Sequence, residues 1–128
     1  MSSLSDLIAS SHAAVYTYGI VSAFAHESSQ ALDYQATHRQ MRDQLIALAE
    51  KRNIPIPAAQ AAYALPIRVY NNATALTVAA TLENALCAQW AAAISTDESL
   101  MTNSYLVEPE NAAMRAFSWH HIALDFPS

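Results

Sequence analysis

A single glycine, Gly19, serves the whole of this 128-residue chain. Tight β-turns depend on residues that tolerate positive φ, and glycine alone does so without steric cost. A chain with one such residue cannot build the many hairpins of an all-β fold. About a fifth of the residues are Ala, the strongest helix former, and 53% are apolar. These features predict an all-α domain with a core of its own. The length suits one domain, taken as residues 1–128.

Charged residues make up only 13% of the chain, and the net charge is −5. So apolar a chain has the means to fold, and its acidic balance argues against a nucleic-acid partner. The one cysteine, Cys87, excludes an intrachain disulfide. Met1 to Asp6 lacks the basic stretch of a signal peptide. No apolar run reaches the ~18 residues of a membrane span, and the longest, Ala85 to Ile94, is interrupted by Gln89. A cytoplasmic protein with no membrane partner is the expectation.

Apolar periodicity predicts four long helices, at about 5–26, 29–52, 72–95 and 97–122. The stripe of the first is Leu4, Ile8, Ser11, Val15, Tyr18, Ser22 and Ala25. Gly19 lies on the same helix at a cost of roughly 1 kcal/mol against Ala, which close approach of a neighbouring helix would justify. The second carries Ala31, Gln35, His38, Met41, Arg42, Leu45 and Leu48. Asn53 suits its left-handed stop, and Pro55 prevents continuation. Asn71 or Asn72 caps the third, with the stripe Leu76, Ala79, Ala80, Glu83, Leu86, Cys87, Trp90 and Ile94. Thr96 caps the fourth, Pro109 predicts a kink or break near Val107–Glu108, and the later stripe is Glu110, Ala113, Met114, Phe117 and His121.

Between the second and third helices, residues 54–70 hold Pro55, Pro57 and Pro66 among Ile54, Ile56, Leu65, Ile67 and Val69. A solvated linker would not need those apolar side chains, so a buried crossover strap is predicted. Some 18 residues at roughly 3.3 Å each can run the length of a helix, which lets helices two and three lie parallel. That is the one-crossover bundle of ferritin-like folds.

A ferritin-like two-metal centre needs a Glu from each of two helices and a Glu-x-x-His from each of the other two. Ser11 stands where the first Glu is wanted. Gln35-Ala36-Thr37-His38 has the spacing but an amide for the carboxylate. Glu83 is present, and Glu110-Asn111-Ala112-Ala113 lacks the His. Half of the six ligands survive, too few anionic oxygens for two hard cations. The remaining polar residues, Ser11, Gln35, His38, Arg42, Glu83 and Arg115, are predicted to form a polar core cluster. In it Glu83 pairs with Arg42 or Arg115, and His38 and Gln35 complete its hydrogen bonds. A rival reading keeps His38, Glu83 and Glu110 as a reduced site for iron or manganese in a metal-dependent oxidoreductase; a third places a small polar ligand against Gln35, His38 and Glu83.

Elsewhere His120 and His121, about 100° apart on a helix, read as one core and one surface residue. Cys87 reads as a small buried hydrophobe. Trp90, Trp119, Tyr16 and Phe24 are more aromatic bulk than one small core need hold, which predicts a homodimer.

The segments Ser11–Gly19, Thr37–Leu45, Ala62–Ile67, Leu82-Glu83-Asn84, Ala112–Trp119 and Phe126-Pro127, in this order and spacing, resemble an actinobacterial ferritin-like domain family of unknown function. The resemblance spans nearly the whole chain. It implies a ferritin-like bundle and brings no activity with it. The family pattern places Glu immediately before the His-Ala-Ala of helix one, where this chain has Ser11. The combined expectation is a ferritin-like interaction, assembly or small-ligand-binding protein, with no catalytic residues, resident metal or other cofactor.

Overall fold

A computed structural model describes residues 3–125. The family-like Phe126-Pro127 pair lies outside the described residues. The elements are α1 (Ser3–Phe24), α2 (Ser28–Lys51), α3 (Asn72–Thr96), a 3₁₀ turn (Glu98–Leu100), α4 (Asn103–Leu106) and α5 (Glu108–Asp125). No strand occurs among the described residues, so the chain is all-α.

Helix ends follow local chemistry. Asn71 and Thr74 form a reciprocal capping box at the start of α3: the Asn71 side chain accepts from Thr74 N–H at 2.8 Å, and Thr74 Oγ1 accepts from Asn71 N–H at 3.1 Å. At the end of α2, Asn53 adopts φ 55°. Ile54 N–H then reaches back to Ala49 O at 2.9 Å and Asn53 N–H to Glu50 O at 3.3 Å, a Schellman stop.

The long fourth helix expected over 97–122 is three pieces. Thr96 ends α3 rather than capping the next helix. Asp97, in extended backbone, caps the 3₁₀ turn by accepting from Ser99 N–H at 3.0 Å. Thr102 is extended again before α4. The break expected at Val107–Glu108 is present: α5 begins at Glu108, so Pro109 falls in its first turn, where a missing N–H costs nothing.

α1 packs on α2 and α3, and α3 on α5. The N-terminus of α1 meets the C-terminus of α3, where Ser3 Oγ and Thr96 Oγ1 lie 3.3 Å apart. At the opposite end His26 N–H donates to Asn72 Oδ1 at 2.8 Å. α1 and α3 are therefore antiparallel. The short 25–27 turn makes α1 and α2 antiparallel as well, so α2 and α3 run parallel. The crossover makes this possible by climbing along α1. Ser5 Oγ donates to Pro55 O at 2.8 Å, the His12 imidazole to Pro57 O at 3.1 Å, and the Tyr16 and Tyr63 rings lie 5.6 Å apart. Val69 is buried and Ile54 and Leu65 are half-buried, but Ile56 and Ile67 remain exposed, contrary to the expectation of a fully buried strap. The crossover is one chain thick, so only one of its sides can face the bundle.

The core has two apolar halves. One is built around Leu4, Leu7, Leu45, Leu86 and Trp90, the other around Tyr18, Val21, Ala31, Leu76 and Trp119. α1 is long and apolar enough to cross a membrane, which corrects the expectation that no segment is. Here Leu4, Leu7, Ile8, Ala14 and Val21 of α1 are fully or almost fully buried inside the bundle.

The α5 stripe is the largest correction. Met114 and Phe117 are exposed, as are Glu110, Ala113 and His121. The inward face is Ala112, Arg115, Ala116 and Trp119. Both His120 and His121 are on the surface, and Cys87 is half-buried rather than buried.

Candidate functional site

His38 on α2, Glu83 on α3 and Arg115 on α5 occupy positions midway between the two apolar halves of the core. Each is within 8% exposure of full burial, and Glu83 is at 0%. Isolated charges are not stable in such a place, so every polar atom must find a partner.

Glu83 finds three. Its Oε2 accepts from Tyr18 Oη at 2.5 Å and from His38 Nε2 at 2.9 Å, and its Oε1 accepts from Arg115 Nε at 2.9 Å. Three of the long helices thus each donate one group to a carboxylate carried by the fourth. A second tier holds the first in place. Trp119 Nε1 donates to Tyr18 Oη at 2.9 Å, and the Tyr18 ring stacks on His38 with centroids 5.5 Å apart. Arg115 Nη2 reaches Glu108 Oε1 at 3.5 Å, and Asn111 Nδ2 donates to Glu108 Oε2 at 3.4 Å. Tyr34 packs edge-on against Trp119 at 5.5 Å and shares Ser118 with Gln30, which ties α2 to α5.

Burial pushes the Glu83 carboxyl upward, but the His38 hydrogen bond, the attraction of His38 and Arg115 and the Tyr18 hydroxyl together outweigh it. The carboxyl is held below the ordinary glutamate range. Tyr18 goes the other way: burial, then the adjacent Glu83 charge, raise its phenol far above the usual value. In Arg115, burial opposes the charge, and Glu83 and Glu108 more than restore it. The centre is a carboxylate–guanidinium pair with a phenol and an imidazole donating to the same carboxylate.

The residues expected to cluster divide. Glu83, Arg115 and His38 are brought together. Arg42 is not: its Nη2 pairs with Asp43 Oδ1 at 3.0 Å on the surface. It lies one turn past His38, and that turn points it past the bundle centre. Gln35 Nε2 donates to Val15 O at 2.9 Å and packs beside Gly19. Gly19 therefore admits a neighbouring helix, as its place in the sequence suggests, through a side chain rather than through backbone contact. Ser11 is buried but donates to Leu7 O of its own helix at 2.9 Å. Sequence reasoning missed Tyr18 and Trp119 as members. The signal was present: a Tyr and a Trp buried in apolar stripes each carry a polar atom that must be satisfied.

These donors do not fit a two-metal centre. Ser11 and Gln35 carry no charge, Glu110 is exposed, and Ala113 is an exposed apolar residue. The guanidinium of Arg115 sits on Glu83, where a cation would otherwise bind. Among the described residues, no group of three or more His, Cys, Asp or Glu is placed to hold a metal ion. Away from this centre, a groove of about 240 Å³ runs between the crossover, α1 and α3, edged by Ala13, Thr17, Leu65, Val78 and Leu82. It lies just below the common size range of small-molecule sites.

The comparisons agree on kinship and are silent on activity. A solved structure with TM-score 0.81 and 30% identity, covering 94% of this chain and 93% of its own, is described as a conserved hypothetical protein, Rv2844, from Mycobacterium tuberculosis. No curated protein matches the chain. The family model for a domain of unknown function, DUF4439, matches residues 3–128. The chain belongs to the DUF4439 family.

Proposed function

We propose that this chain is a ferritin-like four-helix bundle that works by association, with a second copy of itself or with a small ligand, and that its central carboxylate is structural. The topology supports the first part: one long crossover makes α2 and α3 parallel, and each long helix sends a polar side chain to the midpoint of the core. The observation that carries the second part is the saturation of Glu83. Both oxygens are committed, one to a permanent cation, so a metal would have to displace Arg115 from Glu83 and leave the buried guanidinium with only its 3.5 Å contact to Glu108.

The aromatic excess that predicts a homodimer is relocated. Trp90 and Trp119 fill the core of one copy. Phe24 is exposed at 42%, and the more exposed apolar surface that supports association is on α5, with Met114 at 64% and Phe117 at 67%.

Elemental analysis of protein purified without a metal-affinity tag tests the reading. The expected result is far less than one iron or manganese per chain, and no change in thermal midpoint on adding either ion. Stoichiometric iron or manganese, lost in His38→Ala or Glu83→Ala, would replace this reading with the metal-dependent oxidoreductase. Light scattering over a concentration series tests association.

A further inference from the structure

The exposed face of α5 carries a regular repeat. Val107, Glu110, Met114, Phe117, His121 and Leu124 follow one another at alternating spacings of 3 and 4, the seam of a coiled coil. All six are exposed; Val107 is at 44% and Leu124 at 81%. Val107 precedes α5 but shares its phase, because its backbone is right-handed helical and its carbonyl accepts from Asn111 N–H at 2.9 Å. Phe117 and His121 already stack on one another, with ring planes 16° apart, so the middle of the seam presents a flat aromatic surface. The opposite face of the same helix is committed to the bundle through Ala112, Arg115, Ala116 and Trp119.

The order of these residues is self-complementary. Turned about a two-fold axis passing between positions 115 and 116, the seam meets itself with Met114 against the partner's Phe117, Glu110 against the partner's His121, and Val107 against the partner's Leu124. Apolar side chains meet apolar ones, and the acid meets an imidazole. In a parallel pairing every position would meet its own copy, placing Glu110 against Glu110. We propose that the outward face of α5 is a homodimer interface in which two copies pair antiparallel about that axis. This rests on the association reading above and names its partner and its surface.

The size of the seam sets its strength. A helix of 18 residues is about 27 Å long and about 10 Å wide. It offers less than the ~800 Å² per partner of a standard stable interface, so the pairing belongs to the weak, reversible class.

Sedimentation velocity of the full chain from about 1 to 300 μM, at ~150 mM salt to screen the like net charges, gives the first test. The expected result is a rise in weight-average mass from 13.9 kDa towards twice that. Phe117→Glu, with an unchanged melting curve, should raise the midpoint concentration at least tenfold. A dimer whose midpoint is unmoved by Phe117→Glu overturns the α5 seam and leaves association standing. A monomer at every concentration, as expected if this face serves a different protein, overturns both the seam and self-association. Register is read by oxidation in a Cys87→Ala background. Val107→Cys mixed with Leu124→Cys should give a disulfide-linked pair, whereas stronger cross-linking of either variant with itself overturns the antiparallel arrangement.

Discussion

Arg115 Nε lies 2.9 Å from Glu83 Oε1 across the packing of α5 on α3, in a part of the core that neither side chain could enter alone. The pair is held from both sides: Tyr18 and His38 take the other oxygen of Glu83, and Glu108 lies against the far edge of the guanidinium. Such an arrangement is costly to break and less costly to replace, because desolvation of both charges offsets much of their attraction.

Arg115→Met should therefore destabilise the protein by about 3–5 kcal/mol, since it leaves a buried carboxylate without its cation. Combining it with Glu83→Leu should recover a large part of that loss. Urea denaturation of the two single variants and the double variant measures the coupling. Additive losses would show that the two side chains act independently.

The pH dependence follows from the direction of the Glu83 shift. Its folded-state value lies below that of the unfolded chain, where a glutamate titrates at about 4.3. The contribution is therefore fully present above that pH and is lost as the pH falls through the lower folded-state value. The stability gap between the parent and Glu83→Gln, followed by urea midpoints from pH 7 to pH 3, should be widest near neutrality and narrow below about pH 4. A gap that widens in acid would contradict the assigned direction.

Tyr18→Phe keeps the ring that stacks on His38 but removes the hydroxyl that serves Glu83 and accepts from Trp119. Two buried polar atoms lose a partner, which should cost about 1–3 kcal/mol. In the parent protein, an ultraviolet titration should find Tyr18 releasing its proton only when the fold opens. Its ionisation while the protein is still folded would remove it from the buried cluster.

Gly19→Ala sets helix propensity against a close neighbour. The added Cβ would stand 3.3 Å from Gln35 Nε2, the mobile end of a side chain that donates to Val15 O. The ~1 kcal/mol gained by replacing glycine inside a helix is offset by disturbing that hydrogen bond, worth about 1 kcal/mol. The expected net change is within about 0.5 kcal/mol. In a Gln35→Ala background the opposition is gone, and Gly19→Ala should stabilise by close to the full ~1 kcal/mol. Thermal melts of the four proteins separate the two effects.

Much of the architecture is local and was legible in the residues. One glycine and abundant alanine dictate helices, Asn53 and Pro55 stop α2, Asn71 starts α3, and Pro109 sets the break before α5. Each of these acts through its own backbone or that of residues a turn away, so no knowledge of the rest of the chain is needed. The choice of Arg115 over Arg42, the recruitment of Tyr18 and Trp119, and the outward turn of Met114 and Phe117 were decided only when the helices packed. Periodicity reports that a helix has an apolar face. It does not report what covers that face, and on α5 the narrower inward stripe of Ala112, Arg115, Ala116 and Trp119 fits a centre where Glu83 needs a cation and the neighbouring helices leave room for alanine.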